Sequence, residues 1–128
     1  MKAMKYEEIK PINKARAKKV LAGNDREAIC RTLVSVAMFE TDRRWAQAQC
    51  LKFARHPDSF VRGVAATCLG HLARIHGAID EDEVVPVVQE LLRDRDPATR
   101  GKAQDALSDF STFLGWNGRK LRKLLTAA

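Results

Sequence analysis

The chain has 128 residues and a formal net charge of +7, with 45% hydrophobic, 30% charged and 6% aromatic residues. That composition fits a globular helical protein and argues against disorder. The longest apolar stretch, Leu33 to Phe39, is interrupted by Ser35 and far too short to cross a bilayer, and the basic start MKAMKYEEIKPINKARAKK lacks the apolar segment of a signal peptide.

A cytoplasmic protein without membrane insertion is therefore expected. The positive charge is unevenly placed: residues 1–20 carry seven Lys/Arg against two Glu, residues 116–128 four against none, and residues 21–115 twelve against fourteen. Residues 1–128 read as a single helical domain with basic ends at 1–20 and 116–128 and a mildly acidic body. Cys30, Cys50 and Cys68 are odd in number, widely spaced and set in apolar sequence, which suits reduced core thiols better than a disulfide framework.

Helix signals follow one another along the chain, and no run of alternating β-branched residues interrupts them. The first helix is expected from about Asn13 to Ala22, stopped by Gly23. Asn24 with Glu27 has capping-box spacing and opens a second helix to Phe39. Asp42 caps a third, to Arg55, and His56-Pro57-Asp58 breaks the chain before a fourth over Ser59 to His76. Gly77 then suits a left-handed C-terminal stop. Asp80 with Glu83 repeats the capping-box spacing for a fifth helix to Arg93, with Pro86 in its second turn as a source of kinking. Asp96-Pro97 opens a sixth, to Gly115, with proline at the first helical position, where its missing N–H is harmless. Asn117 to Thr126 forms a short last helix.

Internal repetition carries the most information. A shift of 38 places Asp58 on Asp96, Arg62 on Arg100, Gly63 on Gly101, Ala65 on Ala103, Leu69 on Leu107 and Leu72 on Phe110. A shift of 36 places Arg26 on Arg62, Leu33 on Leu69 and Val36 on Leu72. The third and fifth helices match at 38 as well, with Cys50 on Val88 and Phe53 on Leu91. The repeating unit is therefore a helical hairpin, which can bury its apolar side only against its neighbours. The expected fold is all-α, an α-α superhelix of about three antiparallel helix pairs plus a short terminal helix, with the even-numbered helices lining the concave side.

The run Asp58-Ser-Phe-Val-Arg62-Gly-Val-Ala-Ala-Thr-Cys-Leu69-Gly70 closely resembles the HEAT-repeat signature, and Asp96 to Leu107 is a weaker copy, with Thr99 where Val is usual and Lys102 on the apolar side. Asp42-Arg-Arg-Trp45-Ala-Gln, with Ala65 to Gly77, looks like a family of small bacterial HEAT-like proteins encoded beside polymorphic or contact-dependent inhibition toxins. The likeness covers about residues 24–115. It implies an immunity protein whose partner is a cognate toxin domain, a nuclease being one candidate activity, and it implies no cofactor.

The recurring Arg26, Arg62 and Arg100 read as a ladder that binds turn carboxylates and carbonyls of adjacent repeats, the alternative being a grip on phosphate or an acidic partner. Cys68, His71 and His76 lie within nine residues, but a five-residue interval turns the two histidines about 140° apart, so a helical metal site is not expected. No phosphate loop, nucleophile elbow or Cys-His pair supports catalysis, and Asp80 to Glu83 is a helix-start carboxylate run favoured by the macrodipole. Gly63, Ala66, Gly70 and Ala73 form a small-residue stripe, read as the seat of the neighbouring helix. Leu121, Leu124 and Leu125 opposite Arg119, Lys120, Arg122 and Lys123 read as a capping helix.

The residues singled out for partner binding are Arg44, Trp45, Arg62, His71, Arg74, Gln104 and Asp105, with no catalytic or metal-ligating set. A nucleic-acid-binding repeat protein and a generic adaptor are the alternatives. The terminal placement of the positive charge disfavours nucleic acid while leaving it open, and the oligomeric state is not legible.

Overall fold

A computed structural model describes residues 8–126; residues 1–7 and 127–128 of the two basic ends lie outside the described residues. Seven helices are found among them: α1 (Lys14–Leu21), α2 (Arg26–Phe39), α3 (Arg43–Phe53), α4 (Ser59–His76), α5 (Glu81–Leu91), α6 (Pro97–Leu114) and α7 (Gly118–Thr126). Asn13, Asp42, Asp58 and Asp96 each accept a first-turn backbone N–H, which satisfies donors that the helix itself cannot. Gly77 and Gly115 close the two longest helices at φ of 66° and 72°, where a Cβ would be strained.

Two expected caps differ. The cap of α2 is Asp25, which accepts from the Ala28 N–H, so the Asn24–Glu27 box does not form. Asp80 occupies the N-cap position of α5 but makes no side-chain cap, because its carboxylate is drawn to α3 of the preceding repeat. There the amide nitrogen of Gln47, a residue 1% exposed, donates to Asp80 Oδ2 and Glu83 Oε1, each at 3.1 Å. The Gln47 carbonyl accepts from the Asp80 N–H at 2.9 Å and from Arg43 at 3.1 Å. A buried amide is tolerable only when both its ends are satisfied, and this bridge satisfies both while fastening α3 to the start of α5. Helices α3 and α5 end two residues earlier than expected, and Pro86 sits inside α5 on its exposed side.

Helices α2, α4 and α6 pack side by side, and α1, α3 and α5 lie against them in a second layer in which the α3 and α5 backbones stand farther apart and meet only through long side chains such as Gln47. The layer whose axes approach more closely is the inside of the curve, so the even-numbered helices line the concave side. Leu33 and Leu69 are fully buried and Leu107 nearly so, in one continuous cluster that also takes Val61, Val84, Val88 and Phe110. Each such aliphatic side chain contributes about 1.5–3 kcal/mol by burial. The three thiols are free and lie in this cluster as well: a hydrogen bond between the Cys68 and Cys50 thiols, together with burial and the nearby Cys30, raises the Cys68 pKa well above the ordinary thiol value.

Both ends of the curve are closed by other means than a further repeat. At the start, the segment before α1 crosses α2, and Ser35 Oγ donates to the Lys10 carbonyl at 2.6 Å. At the end, Trp116 packs on Phe110 with ring centroids 5.1 Å apart, Leu121 and Leu124 of α7 pack on the core, and Gln89 donates to the Leu124 carbonyl. Helix α7 is thus the expected cap, with Arg119, Arg122 and Lys123 exposed on its back.

Candidate protein-binding face

The arginine ladder is built at the repeat turns. Arg26 holds Asp58 with Nε–Oδ2 at 2.8 Å and Nη2–Oδ1 at 3.1 Å, and Arg62 holds Asp94 at 2.7 and 2.9 Å. Arg62 Nη1 also donates to the carbonyls of His56 and Pro57, and Arg100 Nη1 donates to those of Asp94 and Arg95. These bonds hold Asp58 and Asp94 below the usual carboxylate range.

One detail differs from the 38-residue register. Asp58 both caps α4 and receives Arg26, whereas in the next repeat Asp96 caps α6 and Asp94 receives Arg62. Asp94 stands where the preceding repeat has His56, and each of these two accepts the N–H of the residue two positions on. Arg62, singled out above for partner binding, is therefore occupied between repeats.

The remaining singled-out residues do not form one patch. Arg44 and Trp45 belong to α3 in the outer layer, where Trp45 is half-buried with Lys14 Nζ 5.1 Å from its ring centre. Gln104 is exposed on α6 in register with Ala66, the side on which a following repeat would pack. His71, Arg74 and Asp105 lie on the open side of α4 and α6. Arg74 Nη2 and His71 Nδ1 are 3.2 Å apart. Burial, then the Arg74 charge, lowers the His71 pKa, and Asp109 opposes them. Cys68 is turned into the core, so the structure separates it from His71.

Sequence reasoning missed Asp109 and an apolar row, and it noted Lys102 only as an intrusion on the apolar side. The small-residue stripe does face α6, as expected, but side chains fill the space. A Cβ at Gly70 would collide with the Asp109 carboxylate, and one at Gly63 would stand 3.5 Å from Lys102 Cγ. Phe39, Ile75 and Phe113 occupy one register position near the ends of α2, α4 and α6 and are 42%, 38% and 42% exposed. The same 36- and 38-residue shifts that align the core would have found them.

The model of HEAT repeats matches residues 49–127, more than half of the chain. The chain belongs to the HEAT-repeat family. Among solved structures it is similar to a chain in the crystal structure of a CDI complex from Cupriavidus taiwanensis LMG 19424, at 34% identity and a TM-score of 0.73 over 84% of this chain and 96% of that one. No curated protein matches. The turn arginines and turn aspartates of the HEAT hairpins thus hold the repeats in register, and the open side of α4 and α6 keeps charged and apolar groups that the fold does not use. No helix among the described residues is long and apolar enough to cross a membrane.

Proposed function

We propose that this HEAT-repeat protein is an immunity protein that binds a cognate toxin domain and blocks it by occlusion. The observation that carries this reading is the 34% identity, over 84% of this chain and 96% of the other, to a chain of a CDI complex, with CDI read as contact-dependent inhibition. Two features of the chain support it. The concave layer presents an apolar row bordered by charge, which is the composition of a protein-binding surface. Occlusion also asks for no chemistry, so the reading needs neither a catalytic group nor a cofactor. Helices α4 and α6 are 18 residues each, about 27 Å long, and with their rims they offer about the 800 Å² per partner of a standard interface.

The test is co-expression with the toxin domain of the adjacent reading frame, followed by affinity capture and growth rescue. A stoichiometric complex and protected cells are expected. Absence of both ends the reading and leaves a generic adaptor as the better account.

A further inference from the structure

Six carboxylates among the described residues are half-buried: Glu40, Asp58, Asp80, Asp94, Asp96 and Asp109. Glu40 accepts the Asp42 N–H, Asp58, Asp80 and Asp94 receive arginines, and Asp96 caps α6. Asp109 alone of the six has no hydrogen-bond donor and no ion pair among the described residues. It stands on the open side of α6, folded over Gly70 of α4, and the missing Cβ of that glycine is what lets the carboxylate lie there. Asp105, one turn earlier, is exposed and equally unpaired. A partly desolvated carboxylate without a donor is an unfavourable arrangement that a docked cation would relieve.

The rest of the concave side narrows the place of contact. The α2 position equivalent to His71 and Asp109 is Ser35, and it is already covered by the segment around Lys10. The open part is therefore α4 and α6, bordered by Ile75 and Phe113, with Arg74 and His71 on the α4 side and Lys102 and the two aspartates on the α6 side. The two carboxylates offset the Arg74 and Lys102 charges, so this face has no positive excess to hold a phosphate backbone, while Asp109 and Asp105 attract an ammonium or guanidinium group, which favours a protein over a nucleic acid here.

We propose that the α4–α6 face is the docking surface for a folded protein domain that sets a lysine or arginine side chain against Asp109 and Asp105 and rests apolar side chains on Ile75 and Phe113. This rests on the immunity reading and names the chemistry of its partner. Attraction to the cation speeds encounter, and its pairing in the closed interface slows release.

The experiment titrates the purified toxin domain of the adjacent reading frame with the full chain and its variants, with thermal melts as a folding control. Asp109→Lys and Asp105→Lys are expected to weaken binding by about 100-fold, chiefly through the off-rate, and Phe113→Ser by about tenfold. Lys18→Glu, on the exposed side of α1, is expected to stay within about twofold. Two lysine variants are used because Asp109 touches α4 and Asp105 does not share that contact. If the wild-type chain binds and both lysine variants bind within about twofold of it, the docking surface lies elsewhere and the immunity reading stands. If the wild-type chain does not bind the domain, both fall. Submicromolar binding of a random duplex DNA at physiological salt, tightened by both lysine variants, puts nucleic acid on this face and overturns the choice of a protein partner.

Discussion

Arg62 and Asp94, 32 residues apart in sequence, meet as a two-pronged pair at 2.7 and 2.9 Å, and the third arm of the guanidinium closes the turn between α3 and α4 through the His56 and Pro57 carbonyls. Their side chains are 16% and 10% exposed, against 60% for Arg26 in the equivalent pair with Asp58. The same residue type at the same register thus does unequal work.

Replacing Arg62 by Ala leaves Asp94 and two carbonyls without their donor, and the expected loss is about 2–3 kcal/mol. Arg62→Lys keeps the charge but not the fork, so it is expected to recover less than half of that. Arg26→Ala is expected to shift the urea midpoint far less than Arg62→Ala, because that pair is open to water. Equal shifts for the two alanine variants would refute this ranking.

Leu69 is fully buried where the three repeats share their core, and Leu107 is 9% exposed in the equivalent position nearer the end. Leu69→Ala is expected to cost about 2–5 kcal/mol as a cavity, and Leu107→Ala to fall at the lower edge of that range. An unchanged denaturation midpoint for Leu69→Ala is the outcome that contradicts the shared core.

Gly63 and Gly70 look like spacers for a neighbouring backbone, yet side chains are what they meet. At Gly63 a methyl group finds its nearest atom at ordinary contact distance, so Gly63→Ala is expected to raise stability by about 0.5–1 kcal/mol through helix propensity. A lower melting temperature for this variant would show that α6 must approach more closely than described.

The His71 pKa lies below its ordinary value because of burial and the Arg74 charge, with Asp109 opposing them. The folded protein therefore binds that proton less well than the unfolded chain does. The resulting stability is present above the unfolded value of about 6.5 and is lost as pH falls from there through the lower folded value. The carboxylates paired with arginine and lysine do not contribute in that window, since their folded pKa values lie below the usual carboxylate range. Melting temperatures taken at about pH 7.5 and about pH 5.5 are expected to differ less for His71→Gln than for the wild type. An identical difference in the two proteins removes His71 as the cause.

Helix positions and the hairpin repeat were legible because both are written in short intervals. The helix starts at Asp42 and Asp96, the break at His56-Pro57-Asp58, the glycines at 77 and 115 and the 36- and 38-residue shifts all survive in the structure. The candidate binding residues were legible only in part. His71, Arg74 and Asp105 share the open face, but Arg62 is held in the ladder, Trp45 is partly packed in the outer layer, and Gln104 lies on a side edge. Asp109 and Phe113 were passed over although they stand in the register of His71 and Ile75.

By itself the sequence determined that the chain coils into helices, that the helices pair, and that the pairs repeat, since capping, periodicity and repeat spacing act over a few residues or copy themselves along the chain. Only the tertiary structure decided which carboxylate answers which arginine, why Asp80 abandons its cap for Gln47, and why Asp109 has no hydrogen-bond donor among the described residues. Those choices depend on groups 30 to 40 residues apart meeting at 2.7–3.1 Å, and that distance is set by how closely the helices pack. At Gly70, the absence of one Cβ settles it.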